Sequence, residues 1–258
     1  VQWQLKKYDS LAAGGKEISS PANKNRAGWM NAIVPGTVLT SLVANNVFPD
    51  PYYGDINRRT NHIIPDMADV GREFYHYWYR TNFNVPSSFK DKRIWLKFNG
   101  INYKCEIWLN GKKLGNMAGM FNSKSFDVTS IVNIKGANTI AVNISPVDFP
   151  GQSGRKNKKR SGAKGENQNG GDGIIGKNTT MLMSVGWDFT YQDGIRDRNT
   201  GIWKEVELYA TGDVVLKNPS VQTKLNLPDT TISKQTVSVE VFNASSKNLS
   251  GILSGAIK

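Results

Sequence analysis

The chain has 258 residues, which allows one large domain or two smaller ones. Its hydrophobic fraction of 38% excludes a disordered chain, and no apolar run approaches the roughly 18 residues that a membrane-spanning helix needs. The formal charge of +12 is uneven: Arg155 to Lys164 hold six cations and no acid, so half of it sits in one short stretch.

The segments in chain order point to an all-β protein. Val1-Gln2-Trp3-Gln4 lacks the basic-then-apolar layout of a signal peptide, and any export signal is expected to have been removed already. After Pro35-Gly36, the run Thr37 to Asn46 has the one convincing helical pattern, stopped by Asn45-Asn46. Arg72 to Pro86 is dense in aromatics and ends at a proline, as a strand feeding a turn does. In Arg93 to Gly100, Ile94, Leu96 and Phe98 alternate with Trp95 and Lys97, so one face of that strand is core. Cys105 to Leu109 runs into Asn110-Gly111, a pair suited to a type I′ turn because both central positions need positive φ, and the chain returns through Lys113-Leu114-Gly115. Further short strands are expected at 125–128, 139–144 and 203–209. Residues 150–178 contain the basic stretch followed by Gly- and Asn-rich sequence, and read as a long mobile insertion. From Asp213 alternating strands are expected at 214–216, 221–227 and 236–242, in the manner of an immunoglobulin-like sandwich. No repeat of 20 to 50 residues is visible.

The chemistry-bearing residues are few. The single cysteine, Cys105, cannot form an internal disulfide and reads as a small buried filler. With only His62 and His76 besides, no metal site and no cofactor is expected, and both histidines look too isolated for acid-base work. Trp78, Trp95 and Trp108 read as a core stripe. The basic stretch reads first as a solvated insertion, with contact to an acidic carbohydrate or another domain as a second reading. Nucleic-acid binding is a third, opposed by the lack of interleaved aromatics, and no nucleic-acid partner is expected.

Five motifs, in this order, resemble the N-terminal region of family 2 glycoside hydrolases: Val34-Pro35-Gly36-Thr37-Val38-Leu39, Asp50-Pro51-Tyr52-Tyr53-Gly54, Trp108 to Gly115, Gly186-Trp187-Asp188, and Arg196-Asp197-Arg198-Asn199-Thr200-Gly201-Ile202-Trp203. The second and fifth are more similar to the β-mannosidase, endo-β-mannosidase and exo-β-glucosaminidase branch than to the β-galactosidase or β-glucuronidase branch. The resemblance implies a jelly-roll (galactose-binding-like) β-sandwich over residues 1–212 and the start of an immunoglobulin-like β-sandwich over 213–258. It implies hydrolysis, with retention, of a β-linked terminal sugar by the whole protein, in the periplasm or outside the cell, with mannose or glucosamine favoured. A stand-alone carbohydrate-binding module is the rival reading.

In that family the chemistry sits on a (β/α)8 barrel that follows these domains, so the implied partners are the carbohydrate and the catalytic barrel of the same chain. The family's acid/base is a glutamate preceded by asparagine. None of Glu17, Glu73, Glu106, Glu166, Glu205, Glu207 and Glu240 has that neighbour, so no catalytic residue is expected here. A loop of the family's jelly roll reaches over the barrel mouth, and by resemblance Trp187 and Asp188 belong to it. A carboxylate can accept hydrogen bonds from adjacent sugar hydroxyls and an indole offers a flat apolar face. Against this, Asp188 could brace its own loop and Trp187 could be core, while Phe189 stands where relatives often carry a second tryptophan. Asn57 lies in another loop that approaches the family's active site. Arg196 and Arg198, alternating with Asp197, fit an ion-pair network at a domain interface as well as ligand binding.

Overall fold

In the computed structural model the described residues are 1–54, 56, 63–65, 67–148 and 199–256. Eleven strands are described: β1 Trp3–Lys7, β2 Met30–Ala32, β3 Tyr77–Phe83, β4 Arg93–Phe98, β5 Lys104–Leu109, β6 Lys112–Ala118, β7 Lys124–Asp127, β8 Asn138–Ser145, β9 Val206–Thr211, β10 Val214–Asn226 and β11 Asp229–Asn243. Three short helices accompany them: α1 Gly15–Ile18, α2 Val38–Ala44 and α3 Met67–Val70. The fold is all-β, and every strand pairing is antiparallel.

A six-stranded sheet in the order β2-β1-β3-β8-β5-β6 faces a three-stranded sheet in the order β7-β4-β9. Strand alternation builds the core between them, because successive side chains point to opposite faces. Leu5, Tyr79, Ile107, Val142 and Ile144 come from the larger sheet and Ile94, Leu96 and Phe98 from the smaller, all buried in one cluster. Each such side chain taken fully out of water contributes about 1.5–3 kcal/mol before the entropy of ordering is counted. The helix expected over 37–46 is α2: the Thr37 hydroxyl accepts from the Thr40 amide at 3.0 Å and caps it, and Val38 and Leu42 close one end of the core. At the β5–β6 turn Asn110 and Gly111 have φ of 50° and 81°, as a two-residue hairpin of this type requires.

The outer face of the larger sheet carries a second, smaller cluster. Ile18 of α1 packs there with Trp78 and Ala141, joined by Trp108 and Trp29. Gly15 lies so close to the Trp108 indole that an added Cβ would sit 2.4 Å from it. Trp95 points the other way, off the smaller sheet, where its indole donates to the Thr211 hydroxyl at 2.9 Å and meets Tyr209 and Phe242. The three tryptophans are therefore buried or half-buried in two separate places and form no single stripe.

Other departures from the sequence reading have simple causes. Residues 72–75 form a 3-10 turn that precedes β3, since Gly71 at φ 85° starts a new chain direction. The strand expected at 203–209 begins at Val206, because Trp203 turns its side chain to a carbonyl across the sandwich. The strands expected at 214–216 and 221–227 are one long β10, interrupted by an irregularity between Lys217 and Ser220 at Asn218-Pro219. β10 and β11 form their own two-stranded sheet. Arg93 joins its base to the sandwich by ion pairs to Asp213 at 3.0 Å and Asp127 at 3.7 Å. The insertion expected at 150–178 lies outside the described residues.

Cys105 is buried in β5, and burial pushes its thiol up to about 12 despite a hydrogen bond with the Met117 backbone. A raised value in the folded state means that the native chain holds its proton where the unfolded chain loses it. This contribution to stability is complete below about 9 and is lost as pH climbs toward about 12. An aromatic disulfide reagent at pH 8 is expected to leave the native chain unmodified and to titrate one thiol after denaturation; rapid reaction of the native chain would contradict this burial.

Candidate functional site

Two of the five sequence motifs, the first and the described part of the fifth, meet at one end of the sandwich. The Gly36 amide donates to the Ile202 carbonyl at 2.8 Å and the Val38 amide to the Thr200 carbonyl at 2.7 Å, so the Val34–Thr37 and Asn199–Trp203 segments are zipped together. Asn102 and Gly201 exchange two backbone hydrogen bonds, at 2.9 and 2.8 Å, which ties this zipper to the chain entering β5. Ile202 and Thr200 are buried. Gly201 has no room for a side chain: an added Cβ would lie 2.5 Å from the Gly36 carbonyl oxygen and 2.6 Å from the Thr37 Cα. Trp203 donates its indole N–H to the Met120 carbonyl at 2.9 Å, packs on Gly100, and meets Phe121 edge to face.

This joint stands immediately after residues 149–198, which are outside the described set. The segment before them is also anchored. Val147 is buried, Arg72 donates to the Pro146 carbonyl at 2.7 Å, and the Asp148 carboxylate pairs with Arg72 and Lys104. Both ends from which that segment departs are thus fixed to β-structure by backbone bonds and ion pairs.

Trp187, Asp188 and Asn57 all lie outside the described residues, as do Arg196, Asp197, Arg198, His62 and the basic stretch. The Asp50–Gly54 motif is described. Asp50 accepts from the Tyr52 amide at 2.8 Å, and the turn leaves Tyr52 and Tyr53 70% and 76% exposed. Among the described glutamates, Glu73 pairs with Arg72 at 3.8 Å and lies against His76, Glu106 pairs with Lys113 and Glu207 with Lys97. Among the described residues no group of three His, Cys, Asp or Glu side chains is placed to hold a metal.

His76, isolated in sequence, has several partners in space. Its Nδ1 lies 2.6 Å from a Glu73 carboxylate oxygen, its Nε2 2.6 Å from Asn143 Oδ1, and its ring stacks on Tyr8 at 3.9 Å. Sequence reading missed this grouping because it depends on the register of β3 against β8, which no local pattern reveals. The only available signal was that Asn143 and Glu106 each occupy a polar position between buried apolar neighbours.

Residues 3–204 match the model of the glycosyl hydrolase 2 galactose-binding domain-like family. The chain belongs to this family. The family 2 domain is 38% identical over 214 residues to a mannosylglycoprotein endo-beta-mannosidase of Lilium longiflorum, covering 82% of this chain and 21% of that protein. It is 28% identical over 260 residues to an exo-beta-D-glucosaminidase of Streptomyces avermitilis, covering 100% of this chain and 24% of that one. The branch suggested by the Asp50–Gly54 and Arg196–Trp203 motifs is therefore the one in which these relatives fall. Among solved structures, an exo-chitosanase of Amycolatopsis orientalis superimposes with a TM-score of 0.63 at 22% identity, over 95% of this chain and 24% of that one, and shares the fold. The chain spans about a quarter or less of the length of these relatives.

The close approach at Gly201 makes a direct test of the joint. Gly201→Ala is expected to lower the stability of the chain by about 3 kcal/mol, because backbone atoms rather than flexible side chains meet the new methyl group. Gly212→Ala, with open space around it, is expected to stay within about 0.5 kcal/mol of the parent in the same urea titration. Equal effects of the two changes would show that the joint bears no special load.

Proposed function

We propose that this chain is the N-terminal, non-catalytic part of a retaining family 2 exo-glycosidase that removes a β-linked terminal sugar, mannose or glucosamine before galactose or glucuronic acid. The observation that carries the reading is the family match over residues 3–204, with mannosidase and glucosaminidase relatives roughly four times as long as this chain. The catalytic barrel is then a later part of the same polypeptide. Residues 1–212 are the jelly-roll domain and 213–258 begin an immunoglobulin-like domain. The exposed apolar side chains on the β10–β11 hairpin, such as Val221, Ile232 and Val237, support this reading, since a two-stranded ribbon alone cannot bury them.

In this reading the 149–198 segment leaves the sandwich between two fixed ends and brings Trp187 and Asp188 to the substrate. Asp188 accepts hydrogen bonds from adjacent hydroxyls of the terminal sugar, Trp187 covers its C–H face, and Asn57 contributes from the neighbouring loop. A retaining mechanism needs two carboxylates about 5–5.5 Å apart, and this part of the enzyme supplies neither.

In the full-length enzyme, Asp188→Ala is expected to remove charge-assisted hydrogen bonds of about 1.5–3 kcal/mol, a fall of roughly 10- to 150-fold in kcat/KM. Asp188→Asn keeps the shape and one acceptor and is expected to lose an intermediate amount. An unchanged kcat/KM together with a depressed melting temperature would assign Asp188 to bracing its loop instead. The 258-residue chain alone is expected to hydrolyse no aryl β-glycoside, and turnover by it would overturn the reading.

A further inference from the structure

The outer face of the six-stranded sheet holds a cleft of about 520 Å³, whose polar lining residues are His76, Lys104, Glu106, Asn116, Asn143 and Ser145 and whose remaining lining is Cys105, Met117 and Ala118. The strand register arranges the polar residues in two rows. Asn143, Glu106 and Asn116 stand opposite one another across β8, β5 and β6, and Ser145 and Lys104 are paired in the next row. Neighbouring strands are about 4.8 Å apart, so the rows present a spaced series of amide, carboxylate and hydroxyl groups on a rigid backbone. The volume falls in the range of small-molecule sites.

The charges indicate the ligand class. Lys104 is paired with Asp148 and Glu106 with Lys113 at 2.6 Å, while the His76 ring is hydrogen-bonded to Glu73 and Asn143. The lysine and the glutamate on the lining each have an opposite partner already, so neither is left as an unpaired charge with which to hold an ion. Its remaining capacity is hydrogen bonding: the Asn116 and Asn143 amides offer donors and acceptors together, and the carboxylate of Glu106 has lone pairs beyond the one that Lys113 uses. The Tyr8 ring lies parallel to His76 at 3.9 Å and holds the imidazole in place at the edge of the cleft.

We infer that this cleft binds an uncharged polyhydroxylated ligand, a neutral sugar unit, through Glu106, Asn116 and Asn143. The inference shares no residue with the Asn57, Trp187 and Asp188 reading and holds whether or not that reading does. Binding through a few exposed hydrogen bonds is expected to be millimolar.

Amide nitrogen–proton NMR spectra of the 258-residue chain, titrated with methyl β-mannoside to about 20 mM, test it directly. Shifts are expected to concentrate in residues 104–106, 116–118 and 143–145. Asn116→Ala, at an exposed position, and Glu106→Gln are each expected to weaken the response by about 2- to 10-fold while leaving the remaining spectrum in place. Asp188→Ala is expected to leave it unchanged. The absence of shifts in these strands, or their loss in Asp188→Ala, would overturn the inference. Tighter binding of glucuronate than of the neutral glycoside would overturn the ligand class.

Discussion

The arrangement depends on one close approach, the Gly201 backbone against Gly36 and Thr37. Hydrogen bonds from Gly36 and Val38 to Ile202 and Thr200, and the exchange between Asn102 and Gly201, are short because no Cβ intervenes. Four consequences share this contact. It anchors the start of α2, whose Val38 and Leu42 plug the core, and it positions the entry to β5. It directs Trp203 toward Met120 and Gly100, and it fixes the point at which the chain returns from residues 149–198. A long excursion from a sandwich is tolerated when its ends are held, since lengthening a loop adds little closure entropy. Asp148, clasped by Arg72 and Lys104, holds the other end.

The larger sheet separates two tasks by its pleat. Inward positions are apolar and belong to the sandwich core, while outward positions are divided between an apolar cluster under α1 and a polar, charge-paired region around His76, Glu106 and Asn143. Ion pairs at half-exposed positions contribute little to stability, typically below about 1 kcal/mol each. Their more telling consequence is to neutralise the face, which leaves hydrogen bonding as its means of recognition.

Much of the fold was legible because its signals are local. Asn110-Gly111 demands a tight hairpin, Pro35-Gly36-Thr37 opens a capped helix, and the alternation in Arg93 to Phe98 marks a core face; all three stand in the structure. β1 was passed over although Trp3 and Leu5 alternate with Gln4 and Lys6, because five residues beside a terminus carry little pattern. The 3-10 turn at 72–75 was hidden by aromatics that suit a strand equally well, since Tyr75 is buried in either conformation. The division of the tryptophans between two clusters could not be read, because it depends on which sheet each strand joins. The family was legible from five motifs in order, and two of them prove to be hydrogen-bonded to each other. The proposed sugar contacts Asn57, Trp187 and Asp188 were inferred from resemblance and fall outside the described residues, whereas the His76 grouping arises from strand register.

The most direct test of the proposed function is a crystal structure of the full-length protein with a terminal β-mannoside or β-glucosaminide bound in its catalytic barrel. The expected result is an Asp188 carboxylate oxygen within about 3 Å of a hydroxyl of the terminal sugar, with the Trp187 ring against the same residue. A sugar seated for hydrolysis with every atom of residues 1–212 more than about 3.5 Å away, beyond hydrogen-bonding reach, would contradict the claim that this domain completes the substrate site.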